Sequence, residues 1–327
     1  MTSSRTPQSR YSRRILWLAL FVAVLFGGYS ALWYYAADRL EAQAKTVLAD
    51  VNANGVTADC ARLTARGFPF RIGLYCDSVR FDDRKGTTVS AGAFRSAAQV
   101  YSPLHIVGEL DGPATVAVPQ AHSLALDWTG LRASVRIATP LPERISLEGS
   151  GLSAGLSGAE PLLTAQAFQG HMRPNGADLD LAGTVVDLAP AARLLEGRQL
   201  PPLSGALDAT VKDGVQLLLS KARSLRGRSA TIRQLSVSTD AATGVDLKGT
   251  LSVDADGLVD ADLTLTLRNP KGLAAVASGV APEAKGKIDQ AVMAIGMLGA
   301  NPSLPLKIAK GKALLGFIPL GEVPPLD

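Results

Sequence analysis

Val245-Asp246-Leu247-Lys248-Gly249-Thr250-Leu251-Ser252-Val253 alternates apolar and polar side chains. After Asp256-Gly257, Val259-Asp260-Ala261-Asp262-Leu263-Thr264-Leu265-Thr266-Leu267-Arg268 does so again. Successive side chains on a strand point to opposite faces. Val245, Leu247, Leu251 and Val253 therefore share a face, as do Val259, Ala261, Leu263, Leu265 and Leu267, with the charged and hydroxyl side chains opposite. Asp-Gly between two such runs is a tight-turn signal, so the pair predicts a hairpin. Residues 231–239 predict a third strand before it. One apolar face and one wet face define an antiparallel sheet, because a parallel sheet covered by helices would be apolar on both sides.

Working outward, the same pattern recurs upstream. Leu124, Leu126 and Trp128 alternate with Ser123, Ala125 and Asp127; beyond Thr129-Gly130, Leu131, Ala133, Val135 and Ile137 alternate with Arg132, Ser134 and Arg136. This reads as a second hairpin. Helical interruptions are few. Residues 189–196 follow Asp187 as a cap and stop at Gly197, and residues 272–280 and 283–298 read as a helical pair. The low-complexity run SGLSAGLSG, 150–158, reads as a surface loop. Residues 314–320 read as one apolar strand, too short to span a membrane.

The predicted fold class is mainly β, a β-rich α+β body of antiparallel sheets that curl or form a groove, with a few short helices. Pro201-Pro202 is the best boundary candidate. It divides the body into a first β-rich lobe, 38–200, and a second, 201–327, which holds the helical pair.

Ahead of the body, residues 15–37 are 23 consecutive residues without a charge. At about 1.5 Å per residue, such a helix crosses a hydrocarbon layer of about 30 Å. Arg13 and Arg14 precede it, and Asp38 and Glu41 follow it. The excess of basic residues on one side predicts a cytoplasmic tail, 1–14, a single pass through the inner (cytoplasmic) membrane, and a body in the periplasm. Tyr29, Trp33, Tyr34 and Tyr35 cluster where interfacial aromatics belong. A cleaved signal peptide is the competing reading, since Ala42-Gln43-Ala44 has the small-x-small form of a cleavage site. The apolar segment exceeds the 7–15 residues of a signal core, which favours an uncleaved anchor. Residues 38–54 continue as a helix with Leu40, Ala44, Val47, Leu48 and Val51 on one face.

The tail also accounts for the charge. The chain of 327 residues carries a formal net charge of +4; four of its 33 basic residues precede Ile15, leaving 29 against 29 acidic ones. A neutral body has no electrostatic footprint for nucleic acid, so that partner class is set aside. The two cysteines, Cys60 and Cys76, lie beyond the apolar segment, where an oxidising compartment would pair them. The alternatives are a metal pair or a redox site; a metal would need further ligands, the nearest histidine being His105, and the spacing is far from C-x-x-C. A structural disulfide is the better reading.

Several residues together resemble a known family. Gly67-Phe68-Pro69-Phe70-Arg71 lies between the cysteines, His105 leads into Gly108-Glu109-Leu110-Asp111-Gly112-Pro113, Asp127-Trp128 opens a hairpin, and the C-terminal region reads Gly316-Phe317-Ile318-Pro319-Leu320-Gly321. In these features the chain resembles the DUF2125 family of alphaproteobacterial proteins, and the resemblance covers most of the chain after the apolar segment. It implies a membrane-anchored, exported protein without an assigned activity. The hairpin style also resembles AsmA-like envelope proteins, whose long sheets form lipid-carrying grooves; that likeness is one of fold alone.

No catalytic constellation stands out. His105, His122 and His171 are scattered, without a metalloprotease helix or nucleophile elbow. Phosphate-binding glycine loops are absent. Asp260 and Asp262 lie on a wet strand face, and Asp82-Asp83 reads as a turn. The expectation is a non-enzymatic protein without cofactor or metal. Phe68-Pro69-Phe70 is the most specific local feature: an apolar tip that contacts lipid or a partner, or, more economically, two aromatics sharing a buried face at a strand start. The leading expectation for the whole is a binding module for lipid or another apolar envelope component. The alternative is a sandwich that scaffolds an envelope protein complex through its surface, and an envelope hydrolase ranks last.

Overall fold

The structure is a computed structural model and describes residues 9–53, 55–220, 224–296 and 299–326. Residues 1–8 of the basic tail, and the expected helix ends at Asn54 and Leu298, lie outside them. The apolar segment and its amphipathic continuation form one helix, α1 (Ser9–Ala53). Among the described residues, α1 is the helix long and apolar enough to cross a membrane, a property that a signal sequence shares.

Among the described residues, twenty strands follow and form one antiparallel sheet. The first ten are short: β1 (Thr57–Cys60), β2 (Thr64–Arg66), β3 (Arg71–Cys76), β4 (Val79–Asp82), β5 (Thr88–Ala91), β6 (Phe94–Gln99), β7 (Ser102–Leu110), β8 (Ala114–Ala117), β9 (Leu124–Asp127) and β10 (Gly130–Arg136). The later ones begin longer: β11 (Arg144–Leu156), β12 (Pro161–Asn175), β13 (Asp178–Pro190), β14 (Leu203–Val211), β15 (Arg228–Ser238), β16 (Gly244–Val253) and β17 (Val259–Arg268). Shorter strands β18 (Ser303–Ala309), β19 (Lys312–Leu315) and β20 (Ile318–Glu322) end the sheet. From β11 to β20 each strand pairs with the next. Pro201-Pro202 falls in the connection between β13 and β14, which are hydrogen-bonded neighbours.

At β11 the sheet forks. One branch runs β10–β7–β6–β3–β2, the other β9–β8–β5–β4–β1. The disulfide between Cys60, at the end of β1, and Cys76, at the end of β3, ties the branches together with Cα atoms 5.2 Å apart. Helix α1 lies across this tied end against β1, β2 and β3. Two side chains extend the pairing onto the helix. Asn52 Nδ2 donates to the Ala58 carbonyl while Asn52 Oδ1 accepts from the Ala58 N–H. Glu41 accepts from both Lys45 Nζ and the Ala65 N–H.

The strand–turn–strand pattern of residues 245–268 is the β16–β17 hairpin, and residues 231–239 supply β15 beside it. Four local expectations are corrected. Thr129-Gly130 does not reverse the chain: Gly130 pairs with Ser150 and Asp127 with Ser153, so β9 and β10 lie end to end along β11. The Thr129 N–H donates to Ser150 O on that same partner, which holds the segment extended. Residues 150–156 belong to β11 instead of a loop, because strands on both sides satisfy their backbone.

Residues 189–196 supply the end of β13 and one 3₁₀ turn, Ala192–Leu195. Asp187 does not cap it; with φ of 52° it marks the register shift between β13 and β14. Finally, residues 314–320 fold back on themselves at Gly316 (φ 61°) as the β19–β20 hairpin. A short helix that the sequence pattern missed, α2 (Gly214–Leu219), follows β14, and the C-terminal helical pair forms as α3 (Pro270–Val280) and α4 (Lys285–Gly296). Asn269 caps α3 by accepting from the Gly272 N–H at 3.1 Å.

Closing a loop of this separation, 16 residues, contributes about 3 kcal/mol through the chain entropy it removes. Cys60→Ser and Cys76→Ser should therefore lower stability equally, by about that amount. Denaturant titration of the oxidised variants checks this; clearly unequal losses, or a titratable thiol in the oxidised parent, would contradict it.

Candidate functional site

Direct cross-strand partners share a face of the sheet, so the registers trace what each face presents. One row begins at Ile72 on β3 and passes through Ala98, Ile106, Val135, Ile145 and Met172. It continues through Leu181, Ala209, Ile232, Gly249 and Leu263 to Leu306, Leu315 and Ile318 on β20. Every member is apolar or glycine. At the strand spacing of about 4.8 Å, the row measures about 60 Å along the sheet.

A parallel row runs Ala133, Leu147, Gly170, Gly183, Leu207, Leu235, Leu247, Leu265 and Leu304. Gly170 and Gly183 face each other, and the space above Gly170 is open. The pair leaves a shallow trough between Leu147 and Leu207. Gly249 has a different role. Its φ of 142° and the Asp262 carbonyl oxygen beneath it exclude any Cβ, so only glycine keeps the row in register at that bulge.

Among the described residues no second sheet closes over these rows, although Ala209 and Leu263 within them are buried. Among the described residues no large side chain is fully buried. Leu147 is 41%, Leu207 37% and Val237 45% exposed. Two packed sheets would fill the roughly 10 Å between them with buried side chains, so the sandwich geometry is not what the chain adopts. Such an apolar face is the kind of surface that marks a binding site.

The opposite face is charge-paired. Arg95, Glu109, Arg132 and Glu148 sit opposite one another on four successive strands, with Arg132 Nη2 2.7 Å from Glu109. Farther along, Asp180 accepts from Thr210 Oγ1 at 2.7 Å, from Arg173 Nη2 at 3.1 Å and from Asn175 Nδ2 at 3.3 Å, with Arg233 Nη1 3.6 Å away. The Thr210 hydroxyl first, then Arg173 and Arg233, hold this carboxyl below its ordinary range against the opposing effect of burial. Asp260 accepts from the Lys310 N–H, and Asp262 faces Lys307 at 4.0 Å. His171 on β12 meets Ser146 Oγ at 2.9 Å, three strands away from His105 on β7 by way of β10 and β11, and His122 lies in the β8–β9 loop.

Phe68, Pro69 and Phe70 do not form a buried strand face. They precede β3, and the two rings part company. Phe68 stacks on Tyr34 of α1 at 5.6 Å and 16°, and meets Trp33 edge-on at 5.4 Å and Phe26 at 6.1 Å. The Tyr29 hydroxyl donates to the Pro69 carbonyl, and Trp33 Nε1 donates to the Arg71 carbonyl at 2.9 Å. Phe70 points away and is 71% exposed. Sequence reading located the helix aromatics and the Phe-Pro-Phe segment separately; nothing in their spacing announced that one clasps the other.

Asp180, 8% exposed as a side chain, provides a test of the polar face. Its folded-state pKa lies below the unfolded value of about 3.9, so its contribution is full above that pH and lost as pH falls through the folded value. Asp180→Asn should cost about 2 kcal/mol at neutral pH and lessen the loss of stability on acidification. Urea titrations between neutral pH and pH below 4 check both; an unchanged acid limb would contradict the assignment.

Residues 33–324 match the family described as an uncharacterized protein conserved in bacteria (DUF2125). No curated protein and no solved structure matches the chain. The match spans nearly all of the sheet and the end of α1 that clasps it, and the chain belongs to the DUF2125 family.

Proposed function

We propose that α1 anchors the protein in the cytoplasmic membrane and that the open apolar face of the periplasmic sheet binds lipid or another apolar envelope molecule without chemical conversion. One observation carries this reading: apolar cross-strand rows run from β3 to β20, and among the described residues no second sheet lies over them. Each methylene moved from water onto such a face contributes up to about 0.8 kcal/mol. Roughly ten methylenes along the trough would offset an association cost near the middle of the 4–15 kcal/mol range. The paired charges on the other face have no comparable use for an apolar ligand and suit contact with water. The AsmA-like hairpin style is an analogy of fold, and the apolar rows stand without it.

The anchor reading draws on the uncharged length of residues 15–37 and the arginines before it. A second reading, a scaffold for an envelope protein, is favoured by the terminal β19–β20 hairpin, where Phe317 in the turn and Ile318 and Leu320 on the edge strand are all exposed.

Photocrosslinking in cells separates these readings. A benzophenone side chain replaces Leu207 or Val237 on the apolar face, or Thr184 or Ser236 on the polar face, of the full-length protein. Lipid adducts identified by mass spectrometry should form at Leu207 and Val237 and not at Thr184 or Ser236. Protein adducts alone at the apolar positions would favour the scaffold, and equal adducts on both faces would overturn the binding reading.

A further inference from the structure

The clasp between α1 and the Phe68 segment has a consequence for where the body sits. Phe26 is the midpoint of the uncharged residues 15–37, yet the Phe68 ring lies 6.1 Å from it. Tyr29, Trp33 and Tyr34, the other partners of this segment, all lie within the same stretch. At about 1.5 Å per residue, the contacts cover the last three turns or so of the apolar helix. A membrane in the register of residues 15–37 cannot leave this part of the body in water.

We propose that the tip formed by Phe70, Val100, Tyr101 and Leu104 is immersed in the periplasmic leaflet of the bilayer that α1 spans, as a second membrane contact. This rests on the reading of α1 as an anchor. The tip is apolar and outward-facing: Phe70 is 71%, Tyr101 77% and Leu104 58% exposed. It is also held as one unit, because the Val100 N–H donates to the Phe70 carbonyl at 3.0 Å across the β3 and β6 ends.

Non-helical backbone reaches membrane depth only where its polar groups are satisfied. Here the Pro69, Phe70 and Arg71 carbonyls each accept a hydrogen bond, and Pro69 has no N–H to satisfy. The exposed side chain of Arg71 suits the headgroup level, where a long basic side chain reaches phosphate. Ile72, the first member of the long apolar row, lies two residues after Phe70. The immersed tip therefore places the start of the open face at the leaflet surface.

Spin labels on the full-length protein in phosphatidylethanolamine–phosphatidylglycerol vesicles test this. The native cysteines are tied in their bridge, so Phe70→Cys, Tyr101→Cys and Leu104→Cys each take a single label. All three side chains are already exposed, so the fold is not at risk from their replacement. Val24→Cys reports on the helix, and Phe317→Cys, at the far hairpin, reports on water. The ratio of oxygen to water-soluble nickel-chelate accessibility at the three tip positions should exceed that at Phe317 several-fold and approach that at Val24. Tip labels that match Phe317 while Val24 sits in lipid would overturn the immersion and leave the anchor standing. A Val24 label in water would overturn both.

Discussion

The backbone ladder of one antiparallel sheet, with apolar side chains on a face that no second sheet covers among the described residues, is the constraint on which the rest of this structure depends. In a sandwich the second layer supplies most of the burial. Here each strand rests mainly on its two hydrogen-bonded neighbours and on direct side-chain pairs such as Leu235–Leu247 and Leu247–Leu265. Stability in such an array is close to a sum of neighbour contributions, as in repeat proteins. That places unusual weight on what closes the ends. At the C-terminal end the tight β18–β19–β20 turns do so. At the other, the fork at β11 divides the sheet, and the Cys60–Cys76 bridge and α1 hold its two arms together.

Helix α1 is part of the framework of the sheet. Tyr29, Trp33, Glu41 and Asn52 each hydrogen-bond backbone of the β1–β3 region, so the helix is latched along nearly its whole second half. A body latched in this way cannot rotate freely about a flexible linker. The orientation of α1 becomes the orientation of the sheet, and the apolar row from Ile72 outward takes its direction from it. The Phe68 ring is central to this latch, since it touches four aromatic side chains of the helix.

The two faces of the sheet divide the work physically. On the polar face, opposite charges stand on neighbouring strands, directly across as in Arg132–Glu109 or diagonally as in Arg268–Asp246, which offsets like-charge repulsion and stabilises the register. A one-residue slip would bring these charges to the apolar face, so the two faces enforce the same register. On the apolar face, the facing Gly170 and Gly183 remove side chains where neighbours keep leucines, and the surface gains relief that a uniform leucine sheet lacks.

Much of the fold was legible in the amino-acid order. The uncharged residues 15–37 determined a long helix, the two isolated cysteines determined a bridge, and the strict alternation in 245–268 determined a two-faced antiparallel sheet, because each depends on local period and composition alone. The alternation could not say whether the apolar face would be covered, since covering is a contact between distant segments. Nor could Thr129-Gly130 reveal that the chain runs straight on, because the Thr129 N–H that decides it donates to Ser150 O on another strand. The run 150–158 looked like a loop for the same reason: its small residues become a strand only between two partners. Phe68 and Phe70 have a period-two spacing that suggests a shared face, yet one ring is held by a helix some forty residues earlier and the other is left outside. Local pattern determined the elements and their two-sidedness; only the tertiary structure decided which surfaces stay open, because openness is set by which distant segments fail to meet.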